Sequence, residues 1–181
     1  MLKKSILLLI TPVLISCSDV APGVSVNDFF REKNINTILA HSLKIKIPES
    51  RVACGETVYV PAYSSIYFKD NTRVYNLTIT LAIRNINQGQ DIYIKEINYY
   101  NSGGKPVKKF LDRTIKVSPL ETFDLVIAED DTSGGIGSNF IVEWVSTAQV
   151  KSPLIETVMI STRQGVGLSF TCTGRVIKKI K

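Results

Sequence analysis

The feature that most constrains the fold begins near residue 54. From there the chain runs in short segments rich in Val, Ile, Thr, Tyr and Phe, broken by Gly, Pro, Asn and Asp at intervals of about ten residues. Leu77, Ile79, Leu81 and Ile83 share one parity in RVYNLTITLAIRN, as do Phe140, Val142 and Trp144 in SNFIVEW, and Val166, Leu168, Phe170 and Cys172 in GVGLSFTCTG. Such alternation places each set on one face of an extended strand. Further strands are expected at 57–63, 92–100, 107–111, 123–128 and 155–162. Pro61 lacks a ladder donor, which predicts an edge position for the first of these. The turn Asn101-Ser102-Gly103-Gly104 joins INYY to VKKFL with residues that accept positive φ. Roughly seven or eight such strands pack most economically as two antiparallel sheets. The expected fold is therefore all-β, an immunoglobulin-like antiparallel β-sandwich, with a small β-barrel as the alternative.

The N-terminus has a different texture. Lys3 and Lys4 precede an apolar run at 5–15, interrupted by Pro12, and small Ser16 comes before Cys17. This is the layout of a secretory signal peptide. A spanning helix needs about 20 apolar residues, and the run of eleven is too short to remain as an anchor. Leu14-Ile15-Ser16-Cys17 closely resembles the lipobox of bacterial lipoproteins. The resemblance implies a diacylglyceryl thioether on Cys17, cleavage just before it, and usually acylation of the freed amine. A thiolate suits that first step because it is a good nucleophile. One acyl chain holds a protein marginally, at about 0.8 kcal/mol per buried methylene, whereas two or three hold it durably.

Three regions follow: a lipoprotein signal peptide at 1–16, a lipid-anchored linker and arm at 17–50, and a β-sandwich domain at 51–181. SDVAPGVSVNDFFREKN at 18–34 is polar and turn-rich, as a flexible tether should be. In 34–47, the spacing of Ile35, Ile38, Leu39 and Leu43 fits a short helix or an extended arm. Removing Lys3 and Lys4 from 22 basic residues leaves 20 against 16 acids, a mildly basic mature chain of about +4. An extracytoplasmic address makes nucleic acid an unsuitable partner. The membrane, reached through the lipid on Cys17, is the first expected contact, and an envelope protein or glycan the second. Ser18 after Cys17 points to outer-membrane sorting, with the domain facing the periplasm.

Secretion also permits disulfides. Cys54 and Cys172 form a candidate pair 118 positions apart; the alternative is two separate buried thiols. No C-x-x-C spacing implies a metal site, and no cofactor is expected.

Several ordered blocks carry a wider resemblance: YVPAYSSIY at 59–67, LAIRN at 81–85, INYYNSGGK at 97–105, GGIGSNFIVEW at 134–144, PLIETVMI at 153–160 and GLSFTCTGR at 167–175. Together they are similar to a bacterial family of unknown function, number 3124, over roughly residues 55–177. The resemblance implies an extracytoplasmic domain and supplies no activity, cofactor or catalytic residue.

Catalytic and binding candidates come from residue chemistry. The single histidine, His41, precedes the strand-rich region and has no nucleophile motif beside it, which argues against Ser-His-Asp or Cys-His catalysis. EDDTSGGIGSNF at 129–140 resembles a phosphate loop only in glycine content, because an apolar strand follows it where a helix is needed. Glu129, Asp130 and Asp131 are weak Ca²⁺ candidates, without the alternating spacing of an EF-hand; a solvated acidic turn is the plainer reading. Glu143 and Glu156 sit inside apolar strands. As a pair they would serve a carbohydrate-active or other hydrolase. The alternative is an ionic cluster, with Arg84, Arg163 or Arg175 satisfying the two carboxylates. Tyr59, Tyr63 and Tyr67 share one parity if their segment stays extended, and form a candidate recognition patch. The basic end RVIKKIK suits either a solvated tail or anionic headgroups. The leading functional expectation is a lipid-anchored, non-enzymatic envelope domain that binds through a strand edge or an aromatic patch.

Overall fold

The chain is described, as a computed structural model, over residues 47–163 and 166–181. The signal segment, Cys17, the tether and His41 lie outside the described residues. A short 3-10 turn at Glu49–Arg51 leads into β1 (Cys54–Pro61), followed by β2 (Ser65–Phe68), β3 (Asp70–Asn76), β4 (Thr78–Arg84) and β5 (Ile92–Tyr100). β6 (Pro106–Lys109), β7 (Ile115–Val117), β8 (Thr122–Ile127), β9 (Asn139–Ser146), β10 (Leu154–Arg163), β11 (Val166–Thr173) and β12 (Arg175–Lys179) complete the order.

One sheet of six strands runs β12-β1-β9-β5-β6, with β7 also on β5; a second of four runs β11-β10-β4-β8; β2 and β3 make a separate ribbon. Every pairing is antiparallel. Neither main sheet closes on itself, so the architecture is an antiparallel sandwich and not the alternative barrel.

Alternation builds the interior. Val58 and Val60, Phe140, Val142 and Trp144, and Ile92, Ile94 and Ile97 from the first sheet join Ile79, Leu81, Ile83, Phe123, Leu125, Ile155 and Met159 from the second in one buried cluster. Fully burying one such side chain stabilises by about 1.5–3 kcal/mol, so this cluster dominates the fold. β5 breaks strict parity. Its register on β9 shifts between Ile94 and Glu96, and this bulge lets both Ile94 and Ile97 face inward. The expected 101–104 turn is present: Gly104 donates its N–H to Asn101 O at 2.8 Å with φ +71, and Asn101 Oδ1 accepts from the N–H groups of Gly103 and Lys105.

Four details differ from expectation. β1 is an interior strand between β12 and β9. Pro61 is tolerated because β12 pairs with β1 only from Glu56 to Tyr59, which leaves the proline beyond the covering strand. RVYNLTITLAIRN is two strands and not one, broken at buried Leu77, whose N–H donates to Ser64 O. β7 was too short, and RVIKK too polar, to signal a strand by periodicity; every residue of β12 is exposed.

Candidate functional site

Glu143 and Glu156 do not converge. Glu143 lies on β9 between inward Val142 and Trp144, so it points outward, and Lys95 Nζ donates to its Oε1 at 2.6 Å. Glu156 points outward from β10, where Arg84 Nη1 donates to its Oε1. The two acids therefore face away from the core on different sheets. Arg175 joins neither pair; it is exposed on β12, in register with Tyr59. The expected four-residue ionic cluster is thus two separate, part-exposed ion pairs, and the paired-carboxylate hydrolase site is not formed. The reason is strand parity, which drives Glu143 and Glu156 alike to the solvent phase.

The acidic loop after β8 is likewise structural. Asp131 Oδ1 accepts the N–H of Ser133 at 3.1 Å and also its hydroxyl, closing a local turn. Glu129 Oε1 accepts from Ser161 Oγ at 3.2 Å. Among the described residues, no three His, Cys, Asp or Glu side chains gather where one ion could be held. This corrects the Ca²⁺ reading of Glu129, Asp130 and Asp131. Glu129 and Asp130 instead line an open groove of about 550 Å³ with Val74, Tyr75, Asn76 and Ser161.

Cys54 and Cys172 are free thiols, the second of the two readings left open by the sequence. Cys54 opens β1 and its Sγ donates to Ala148 O at 3.2 Å; Cys172 lies in the other sheet, in register with Thr157. Burial pushes the Cys172 thiol above its ordinary value.

The tyrosine stripe does not form either. Pro61 ends β1 and the chain bends near Ser64, which separates the three rings. Tyr59 is half-buried on β1, and Tyr63 packs edge-on against Phe170 of β11 with centroids 5.7 Å apart. Tyr67 stands 57% exposed on β2.

Two polar sites escaped the sequence reading. The first lies beneath the glycine loop. Gly134 O accepts from the N–H and hydroxyl of Ser102, Gly137 N donates back to Ser102 Oγ at 2.7 Å, and Gly135 O accepts from the N–H and hydroxyl of Ser64. Buried Tyr99 sits under this knot. Burial pushes its phenol above the ordinary value; the neighbouring Ser138 and Ser64 hydroxyls pull the other way, and the Asp131 charge adds to the rise. No hydrogen bond of ordinary geometry joins the phenol to either serine, whose own hydroxyls donate to Ala62 O and Gly135 O. The second site is Glu56, which shares core parity with Val58 and is in register with Trp144 of β9. Ser152 Oγ donates to Glu56 Oε1 at 3.0 Å, while Glu56 Oε2 and Trp144 Nε1 have no partner among the described residues. Glu56 was legible as an acid on an inward parity; the Tyr99 knot depends on backbone contacts that residue types do not reveal.

The remaining feature is a rim, where the chain crosses from one sheet to the other. β11 borders the four-stranded sheet, Gly174 makes the crossing, and β12 borders the six-stranded one. Gly174 is required there, since a Cβ would stand 2.7 Å from Val58 Cγ1. Along β11, Leu168 is 36% exposed and Phe170 and Cys172 are half-buried against the core, while Ser169, Thr171 and Thr173 face solvent. β12, which follows β11 directly through Gly174, carries the exposed Arg175, Lys178 and Lys179. Among the described residues, this rim leaves the outer backbone groups of β11 without a strand partner beside an incompletely covered apolar row.

Comparison with curated proteins finds no match. A solved structure from Thermotoga maritima, that of its protein 1070, is similar over 66% of this chain and 92% of its own, at 13% identity and a TM-score of 0.40. Residues 55–177, which span β1 to β12, match the family described as protein of unknown function DUF3124, and the chain belongs to that family.

Proposed function

We propose that this protein is a lipid-anchored domain of the bacterial envelope that binds another envelope component and catalyses no reaction. The anchor is Cys17, acylated after removal of residues 1–16, and Ser18 directs the protein to the outer membrane with its domain facing the periplasm. The observation that carries the binding reading is the open rim at β11, where backbone groups and a half-covered apolar row are presented together. The hydrolase alternative draws no support from Glu143 and Glu156, which are ion-paired on different sheets.

The test has two readouts. Mass analysis of native protein should find a Cys17 N-terminus bearing a diacylglyceryl thioether, and an unmodified thiol or a retained residue 1–16 segment overturns the anchor. Capture from native membranes should then enrich one envelope component that rebinds the mature protein when both are purified. Failure of every captured component to rebind overturns the binding reading.

A further inference from the structure

Sheet edges in monomeric proteins are guarded, because an open ladder invites another strand. The edges of this sandwich differ in how well they are guarded. β6 carries Pro106, Lys108 and Lys109, and its register on β5 shifts between Tyr99 and Tyr100. β7 has only three residues. β12 carries Arg175, Lys178 and Lys179, with a shift in its pairing to β1. β8 holds Asp124 at its middle. In the small ribbon, β3 carries Asp70 and Arg73, β2 has four residues, and their pairing is also shifted.

β11 has none of these devices. It has eight residues, VGLSFTCT, without a charge or a proline, and it pairs with β10 in unbroken register from Glu156↔Thr173 to Arg163↔Val166. Among the described residues it is the edge that is at once long, uncharged and regular. In an antiparallel pair, hydrogen-bonded and non-hydrogen-bonded positions alternate, so alternate residues of β11 turn their N–H and C=O groups away from β10.

The side chains specify what would fit. Leu168, Phe170 and Cys172 form a row on the core side that is open at the rim, with Tyr63 edge-on to Phe170. Ser169, Thr171 and Thr173 form the exposed row. An added strand would need apolar side chains at alternate positions to cover the first row and small polar ones beside the second. Charge complementarity fixes its end. β11 runs through Gly174 into the basic strand Arg175–Lys179, so an antiparallel newcomer brings its N-terminal end to Thr173 and the Arg175 just beyond it, at the start of that basic strand, where acidic residues are favoured.

We infer that β11 is a docking edge for an extended segment of a partner protein, added antiparallel, apolar at alternate positions and acidic at its N-terminal end. This rests on the binding reading above and names its partner class.

The experiment uses the full mature protein and a synthetic peptide of two Asp followed by alternating Val and Thr. The expected result is slowed amide exchange along β11 on peptide addition, with affinity at least about tenfold weaker in Leu168→Lys and unchanged in Val126→Lys on β8. Replacing the two Asp by Ser, or raising salt, should weaken binding. Ser169→Lys serves as a second edge variant if Leu168→Lys melts early. Protection that falls on β8 or β2, or an affinity indifferent to both lysine variants, overturns the inference. So does a concentration-dependent dimer that Leu168→Lys abolishes, which would make the occupant a second copy. β11 amides already protected without peptide, and released by deleting residues 18–46, would make it the chain's own arm. Native capture that survives Leu168→Lys would sink this edge and leave the broader binding reading standing.

Discussion

Gly134 lies so close over the ring of Tyr99 that a Cβ built on it would stand 1.8 Å from the phenol oxygen. Glycine is required there for space, since its backbone closes on a buried ring and on Ser138. Gly134→Ala should therefore destabilise the fold by about 1–3 kcal/mol through overpacking. Tyr99→Phe should cost less than about 1 kcal/mol, because the phenol has no well-formed hydrogen bond to lose. The double variant should recover part of the alanine penalty, and a denaturant-based double-mutant cycle measures that coupling. Full additivity would contradict the contact.

Alkaline pH tests the same residue. Burial holds the Tyr99 phenol above its ordinary value, so above about pH 10 the unfolded chain loses a proton that the folded chain keeps. The native state then binds more protons, and stability falls as pH rises. Its contribution is fully present below the ordinary phenol range and is lost as pH climbs through the raised value. Cys172 acts in the same sense from about pH 9 upward. Tyr99→Phe should flatten the part of a melting curve series above about pH 10, and Cys172→Ala the part just below it. An unchanged slope in both variants would refute the assignment.

The two ion pairs should be cheap and independent. Arg84–Glu156 and Lys95–Glu143 are part-exposed and lie on different sheets. Glu143→Gln and Glu156→Gln should each cost under about 1 kcal/mol, and the double variant should show their sum. A measured coupling above about 1 kcal/mol would mean that the two acids communicate.

Cys54 and Cys172 are separate thiols on different sheets, and thiol chemistry tests this. Both should react with a thiol reagent when the protein is denatured without reductant, and reductant should leave the melting temperature unmoved. A disulfide closing so long a loop would contribute about 2–4 kcal/mol. A drop in melting temperature on reduction would therefore contradict the observed arrangement.

Parity made most of the sandwich legible. Leu77, Ile79, Leu81 and Ile83, and likewise Phe140, Val142 and Trp144, go inward as their alternation requires. What parity missed has physical causes. β12 alternates nothing, since all its residues face water, and only β1 beside it makes it a strand. The tyrosine patch assumed an unbroken strand through Pro61, and the bend before Ser65 parts Tyr59 from Tyr67. Glu143 and Glu156 were correctly placed in strands, but sheet membership cannot be read from a strand's own residues. That information is what separated them. The β11 edge was equally hidden, since its place at the end of the sheet among the described residues is set by the order of the other strands.

β1 is the first long strand of the described chain, and it is clasped on both sides by β9 and β12. Tension arriving from the N-terminal direction runs along this strand and strains its flanking hydrogen bonds together, in shear, instead of peeling them one at a time. If the proposed anchor at Cys17 holds the head from that end, the fold resists a steady drag without being pulled open.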